Sequence, residues 1–147
     1  WPVKAAQVRQ PGATYTDTGW EVHPPSFTEA LVWMKQRYGD VPIYVTENGV
    51  AFFDPPTAPA GGVKDYLRVG YLRDHLRAVH AAIQAGVDVR GYMVWSLLDN
   101  LEWASGFRMR FGIVHVDHQT QRRTVKSSGR YYADVIATNG RALADEP

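Results

Sequence analysis

A glutamate directly follows a short apolar run that we predict to be a β-strand. The run Pro42–Thr46 is rich in β-branched and aromatic residues and ends abruptly at Glu47, before Asn48-Gly49. In parallel α/β folds, reactive groups lie at the carboxyl ends of the strands, and Gly49 allows the chain to turn sharply behind the glutamate. Glu47 is therefore a candidate catalytic carboxylate. The same five residues, 45–49, also suit a solvated loop glutamate before an Asn-Gly turn.

A second candidate segment runs from Trp95 to Trp103 and begins inside another predicted strand, Tyr92–Ser96. An aspartate, an asparagine and Glu102 lie between the two tryptophans. Short carboxylates and amides suit paired hydrogen bonds to vicinal hydroxyls, and an indole ring covers the apolar face of a pyranose. The pattern favours a sugar-binding site, although Trp95 also suits a core position and Glu102 a surface charge.

Two predicted helices surround the first strand. The first begins at a capping box, with Ser26 as N-cap and Glu29 reaching back to it, and ends at Gly39. The second is capped by Asp65 and closed by Gly86. Their apolar stripes consist of Leu31, Met34 and Tyr38 in the first helix, and Leu72, Leu76, Val79 and Ile83 in the second.

A hairpin of Ile113–Val116 and Arg123–Val125 follows the second strand, and a last helix begins near Ser127. Strands that alternate with long helices predict βαβ crossovers, a parallel sheet and an α/β fold. The continuous apolar runs predict strands that are buried on both faces. Two parallel strands cannot close a sheet, and a (β/α)₈ barrel needs eight. We therefore predict the last strand/helix units of a TIM barrel, incomplete on their own.

Residues 1–147 are assigned to this one C-terminal part of a barrel domain. Residues 1–25 are rich in Pro, Gly and Thr and predict an irregular segment, whereas residues 139–147 predict a frayed tail. The start of the sequence does not resemble a signal peptide, and no apolar stretch approaches the ~18 residues of a membrane span. These features predict a cytoplasmic protein without membrane contacts.

The overall charge and the metal-ligand inventory exclude several classes of partner. A formal net charge of +1 gives no reason to expect nucleic acid. Cysteine is absent and no His-x-x-x-His pair occurs, so neither a metal nor another cofactor is expected. We expect the five histidines at the surface. The basic residues Arg108, Arg110, Arg122, Arg123 and Lys126 predict a solvated face.

Three longer segments carry a resemblance to a known family: YVTENG at 44–49, GYMVWSLLDNLEW at 91–103 and RFGIVHVD at 110–117. Together with supporting matches at 16–24, 65–92 and 121–136, they resemble glycoside hydrolase family 1, the β-glucosidase family. The resemblance covers most of the chain in the order and spacing of the family. It implies the last two β/α units of a (β/α)₈ barrel, together with the helix before them.

The resemblance implies roles for five residues. Glu47 matches the catalytic nucleophile, and Trp95 matches the platform beneath the sugar. Glu102 and Trp103 match residues that hold hydroxyls of the non-reducing glycosyl unit. Phe111 lies in the segment that closes the pocket near the same hydroxyls.

Two further features bear on the second segment. The resemblance implies a cis peptide bond between Trp95 and Ser96. Leu101 stands where the family usually has Phe, which changes the packing behind Glu102 mildly.

The acid/base glutamate of the family lies in a Thr-x-Asn-Glu-Pro motif that this sequence does not contain. Retaining glycosidases need two carboxyl groups about 5–5.5 Å apart. The resemblance thus implies hydrolysis of terminal non-reducing β-D-glycosides by a retaining double displacement, in which this chain supplies the nucleophile and lacks the acid/base. We expect the substrate to be a β-glucoside or a related sugar. Preference among glucoside, galactoside and fucoside stays open.

The missing motif also bears on partners. We expect the chain to work with the upstream N-terminal part of the same enzyme, or to self-associate. The alternative is a catalytically inert fragment that retains partial sugar binding or associates through open sheet edges.

Overall fold

The computed structural model describes residues 8–144. Its elements are α1 (Pro24–Tyr38), β1 (Ile43–Asn48), α2 (Tyr66–Gln84), β2 (Val89–Val94), a 3₁₀ helix (Trp103–Ser105), β3 (Val114–Val116), β4 (Arg123–Val125), α3 (Ser127–Ala137) and a second 3₁₀ helix (Arg141–Leu143). This order of helix, strand, helix, strand, hairpin and helix is the predicted one.

The start of α1 differs from the prediction. His23, rather than Ser26, is the N-cap, and its Nδ1 accepts from the Ser26 amide at 3.3 Å. Pro24 and Pro25 occupy the first two helical positions, where their fixed φ suits the helix and their missing N–H groups need no partner. The prolines therefore move the helix start ahead of the expected capping box.

Asp65 is the N-cap of α2 as predicted, but its carboxylate does not cap the helix. The carboxylate instead accepts hydrogen bonds from Arg68 and from Ser128, whose amide lies 2.9 Å from Asp65 Oδ1. Asp65 therefore joins the start of α2 to the start of α3. At the other end of α2, Gly86 has a φ of 89°, a conformation that favours glycine.

The strands β1 and β2 pair in parallel, and one face of this sheet packs on α1 and α2. The buried core of that layer comprises Leu31, Ile43, Val45, Val79, Ala82 and Val87. The opposite face is open, since the side chains of Tyr44 and Met93 are 53% and 46% exposed. The prediction that both strand faces are buried is wrong for this chain, because helices cover only one of them.

The strand ends also differ from the predicted ones. The first strand extends through Glu47 and Asn48, whereas the second begins at Val89 and ends at Val94. Trp95 and Ser96 therefore lie just beyond β2 rather than within it.

The hairpin of β3 and β4 and the helix α3 follow the prediction closely, with β3 beginning one residue later at Val114. The described part of the tail, which was expected to fray from Asn139, holds the short 3₁₀ helix Arg141–Leu143. Arg77 Nε on α2 donates to Leu143 O at 2.7 Å. Residues 145–147 of that tail and residues 1–7 of the irregular N-terminal segment lie outside the described residues.

Two histidines contradict the expected surface placement. His75 is 6% exposed, and its Nδ1 lies 2.9 Å from Tyr71 O. His115 is fully buried, with Nε2 2.8 Å from Pro55 O. His75 is stacked on Tyr71 with ring centroids 3.8 Å apart, and His115 lies in β3. Among residues 8–144, no helix has the length and apolar character that crossing a membrane requires.

Candidate active site

Glu47 lies near the carboxyl end of β1, on the open face of the sheet, and its side chain is exposed. Within residues 8–144 its carboxylate has no hydrogen-bond partner, so both oxygens are accessible from the open side of the sheet. The pairing of the strands is irregular here: Val45 pairs with Tyr92 and Asn48 with Val94, which leaves one extra residue in β1. Glu47 belongs to this β-bulge.

Trp95 is joined to the strand that carries Glu47. Its amide donates to Asn48 O at 2.9 Å, and the Trp95–Ser96 peptide bond is cis, as the family resemblance implied. A Cβ atom at Gly49 would lie 1.6 Å from Trp95 O. Glycine is therefore required because the Trp95 carbonyl approaches so closely, not because of a sharp turn with unusual φ as the sequence had indicated.

Glu102 and Trp95 are in direct contact. The indole Nε1 donates to Glu102 Oε1 at 3.2 Å, which holds the carboxylate beside the tryptophan ring. Trp103 follows at the first position of a 3₁₀ turn and is 91% exposed. Asn100, in the same loop, donates to Ser96 Oγ at 3.0 Å and braces the turn after Trp95.

Phe111 forms the inner wall of the same region. It is 3% exposed, and its ring centroid lies 5.9 Å from that of Trp20. Trp20 itself is 58% exposed. The two rings close one side of the site, one from the irregular N-terminal segment and one from the segment before β3.

One cleft of about 560 Å³ brings together all five residues predicted from the sequence. It is lined by Trp20, Glu47, Asn48, Gly49, Tyr71, Trp95, Glu102, Trp103 and Phe111. Trp20 belonged to a segment that supported the resemblance but was not assigned to the site. Tyr71 lies in the supporting segment 65–92 and was not assigned to the site either, because a tyrosine within a helical pattern carries no signal that it faces a cleft. With carboxylates beside indole rings, the cleft has the chemistry to hold a hydroxyl-rich ligand against an apolar wall.

Asp99 is turned away from the cleft; its residue type had suggested bonds to hydroxyls, whereas the family resemblance implied a structural role. It is 4% exposed and accepts from Gly112 N at 3.0 Å, Arg110 Nη1 at 2.7 Å and Lys126 Nζ at 2.8 Å. Burial alone would raise the pKa of the Asp99 carboxyl, but Lys126 and Arg110 hold it below its usual value. Asp99 therefore anchors the loop that carries Glu102 rather than offering its oxygens to a ligand.

The expectation of a solvated basic face is wrong for Lys126. Its side chain has no exposure and also donates to Asp54 Oδ2 at 2.6 Å. Burial, followed by the nearby charge of Arg68, lowers the pKa of Lys126. A sequence pattern of scattered basic residues does not reveal that two aspartates from distant loops surround one of them.

Arg68 on α2 ties the loop after Glu47 to the segment before Phe111. Its guanidinium donates to Val50 O at 3.3 Å, to Asp54 Oδ2 at 3.1 Å and to Arg110 O at 2.8 Å. Arg68 is 1% exposed, so these bonds are shielded from water. Together with Lys126, it holds the two sides of the cleft in a fixed relation.

The part of the chain that the structure describes contains no group of three or more His, Cys, Asp or Glu side chains suited to a metal ion.

Comparison with known proteins shows the family of this chain. The family model for Glycosyl hydrolase family 1 matches residues 2–141. The chain is 49% identical to a 1,4-β-D-glucan glucohydrolase of Thermotoga neapolitana over 125 residues, which is 85% of this chain and 28% of the relative. It is 47% identical to β-glucosidase A of Thermotoga maritima over 125 residues, with the same two coverages of 85% and 28%. A bifunctional β-D-glucosidase/β-D-fucosidase of Bifidobacterium breve is 45% identical over 84% of this chain and 27% of the relative.

Solved structures of family 1 β-glucosidases are also similar to this chain. A family 1 β-glucosidase from Thermotoga maritima in complex with isofagomine lactam superposes with a TM-score of 0.85 and 44% identity, over 90% of this chain and 30% of that one. The chain thus spans about 28% of the length of its curated relatives. The predicted fold class, strand/helix units of a TIM barrel that are incomplete on their own, is confirmed. The chain belongs to glycosyl hydrolase family 1.

Proposed function

We propose that the chain supplies the nucleophile and part of the sugar-binding subsite of a retaining β-glycosidase that acts on terminal non-reducing β-D-glucosides. The observation that carries this proposal is the shared cleft, in which Glu47 lies with Trp95, Glu102, Trp103 and Phe111. The relatives named β-glucosidase support the substrate class.

The chemistry follows from the two kinds of carboxylate in the cleft. Glu47 has oxygens without a partner in the described residues, so its carboxylate is available to attack an anomeric carbon. As the bond from Glu47 forms, the glycosidic C–O bond breaks and the leaving oxygen takes a proton from an acid. Water then hydrolyses the glycosyl-enzyme, with the same acid acting as base. Glu102 is already bonded to Trp95 and holds hydroxyls of the sugar instead.

The acid/base carboxyl has to come from polypeptide outside this chain, because the sequence lacks the Thr-x-Asn-Glu-Pro motif. A retaining mechanism places that carboxyl about 5–5.5 Å from the nucleophile. The open face of β1 and β2, with Tyr44 and Met93 exposed, is where the remainder of a barrel would approach. The isolated 147-residue chain is accordingly expected to turn over no glycoside at an appreciable rate.

The test uses the chain alone and a chimera in which it replaces the matching C-terminal segment of Thermotoga maritima β-glucosidase A. Each is treated with a 2-deoxy-2-fluoro-β-glucoside that carries a dinitrophenolate leaving group, and the labelled peptide is identified by mass spectrometry. The chimera should be labelled at Glu47, and Glu47→Gln should abolish both labelling and hydrolysis.

Two results would count against the proposal. A label on another carboxylate, or full hydrolysis by Glu47→Gln, would remove Glu47 from the role of nucleophile. Sugar binding without any label in the chimera would instead favour the inert fragment that the sequence left open.

A further inference from the structure

The bulge in β1 determines which face of the sheet Glu47 occupies. Ile43 and Val45 are buried against the helices, whereas Tyr44 is exposed on the open face. Strict alternation of faces would place residue 47 on the same side as Ile43 and Val45. A carboxylate there would be buried without a partner in an apolar layer, which is strongly unfavourable.

The extra residue in β1 removes this conflict. Between the pairs Val45–Tyr92 and Asn48–Val94, β1 advances one residue further than β2. As a result Thr46 and Glu47 are both exposed, and Asn48 is the next partly buried position. A bulge of this kind re-aims a side chain, and bulges are rare in parallel pairs. We therefore expect specific contacts to stabilise β1 in this register.

Asn48 has the contacts to do so. Its Oδ1 accepts from the Tyr92 hydroxyl at 2.7 Å, and its Nδ2 lies 3.4 Å from the Tyr71 hydroxyl. Its backbone oxygen also accepts from the Trp95 amide. The carboxamide is thus held by one tyrosine of β2 and one of α2, directly after the bulge.

Both tyrosines also have contacts that do not involve the hydroxyl facing Asn48. The ring of Tyr71 is stacked on His75 with centroids 3.8 Å apart. The backbone oxygen of Tyr92 accepts from the Tyr132 hydroxyl at 2.9 Å. Burial raises the pKa of the Tyr92 hydroxyl well above its usual range, so this group keeps the proton that it donates to Asn48.

We propose that Asn48 is a positioning residue, whose side chain, bonded by Tyr92 and Tyr71, locks the β1 bulge and thereby holds Glu47 on the cleft face. The mechanistic part of this inference rests on the proposed function of Glu47. Asn48 also lines the cleft, but the role proposed for it is exerted through the backbone of the strand.

A pair of matched variants tests the lock in the 147-residue chain itself. Tyr92→Phe removes the hydroxyl that bonds Asn48 and keeps the ring. Tyr132→Phe removes a neighbouring hydroxyl that bonds the backbone oxygen of Tyr92 and is not among the hydrogen-bond partners of the Asn48 side chain. Amide hydrogen exchange at Thr46 and Glu47, measured by NMR relative to the core amide of Val45, should rise about fivefold in Tyr92→Phe, the effect of one hydrogen bond. In Tyr132→Phe that ratio should not change. Equal exchange ratios, relative to Val45, in the two variants would show that the Tyr92–Asn48 hydrogen bond does not hold the bulge.

The second measurement is made on the chimera with an aryl β-glucoside. Asn48→Ala and Tyr92→Phe should lower kcat by about 10- to 100-fold, the usual effect of a slightly misplaced reacting group, while KM stays within about twofold. Tyr132→Phe should retain the kcat of the parent. A rise in KM with kcat unchanged would overturn the inference. So would a decrease in kcat for Tyr132→Phe equal to that for Tyr92→Phe, because both side chains would then contribute only to general stability.

The two proposals fail separately. If the unsubstituted chimera is not labelled at Glu47, the proposed function fails, and the exchange ratios in the chain still decide whether Asn48 locks the bulge. If labelling succeeds and the exchange ratios of the two tyrosine variants agree, only the role of Asn48 is lost.

Discussion

Lys126 Nζ donates to Asp99 Oδ1 across 2.8 Å and to Asp54 Oδ2 across 2.6 Å, from a position with no solvent exposure. Asp54 lies in the loop after the strand of Glu47, and Asp99 lies in the loop that leads to Glu102. Lys126 immediately precedes α3. One ammonium group therefore joins both loops of the cleft to the start of the last helix.

Replacing that ammonium should destabilise the fold strongly. Lys126→Met leaves two buried carboxylates short of a partner, and breaking a buried ion pair in this way costs about 3–5 kcal/mol. Arg123→Met is the control, since Arg123 is an exposed residue of β4 and a surface change of this kind is usually within about 0.5 kcal/mol. Urea unfolding of the two variants measures both values. A loss below about 1 kcal/mol for Lys126→Met would show that the carboxylates find other partners.

Mild acid should weaken the fold through His75. Burial lowers the pKa of this imidazole, and the opposing effects of the Tyr71 carbonyl and of Asp74 are smaller. The folded state then binds a proton less readily than the unfolded chain, so the free energy of unfolding falls as the pH drops below the unfolded pKa of about 6.5. Unfolding midpoints measured between about pH 7.5 and pH 5.5 should decline, and less so in His75→Phe. His80→Phe, at an exposed position of the same helix, should keep the full decline. A parental pH dependence in His75→Phe would contradict this assignment.

The two glycines Gly49 and Gly70 should respond oppositely to alanine. A Cβ at Gly49 would lie 1.6 Å from Trp95 O, whereas a Cβ at Gly70, inside α2, would meet nothing within 4 Å. Gly70→Ala should stabilise the chain by about 1 kcal/mol through helix propensity. Gly49→Ala should destabilise it by more than about 3 kcal/mol, because the backbone of Trp95 has to move. Thermal unfolding of the pair checks both signs. A Gly49→Ala variant as stable as the parent would mean that the backbone of Trp95 can move away from residue 49 at little cost in free energy.

The sequence predicted the order of the elements, since this depends on local apolar periodicity, whereas the exact ends of both strands differ from the prediction. The helix with Leu31 and the strand with Val45 are examples, because their apolar side chains face the same layer. The local pattern also set Glu47 apart as a candidate, because it is a carboxylate directly after the apolar run 42–46.

What the sequence missed depends on contacts between distant segments. Lys126 was expected in solvent, yet Asp54, 72 residues away, is bonded to it. The bulge at Glu47 was not predicted either, because periodicity alone cannot show that one strand advances a residue further than its neighbour. The prolines before Ser26 did carry a local signal for the helix start, which the capping-box pattern outweighed.

The contact between Trp95 and Glu102 leads to a prediction about substrate binding in the chimera. If the Glu102 carboxylate holds sugar hydroxyls while Trp95 Nε1 orients it, Glu102→Ala should lower kcat/KM for an aryl β-glucoside by about 10- to 100-fold, the effect of losing charged hydrogen bonds. Glu102→Gln keeps an oxygen that can accept from the indole and loses only the charge, so its loss should be nearer tenfold. Glu29→Gln, at an exposed position of α1, is the control and should match the parent. Steady-state kinetics across several glucoside concentrations separates kcat from KM. If Glu102→Ala behaves like Glu29→Gln, Glu102 serves only to orient Trp95, and the hydroxyls are held by other groups of the cleft.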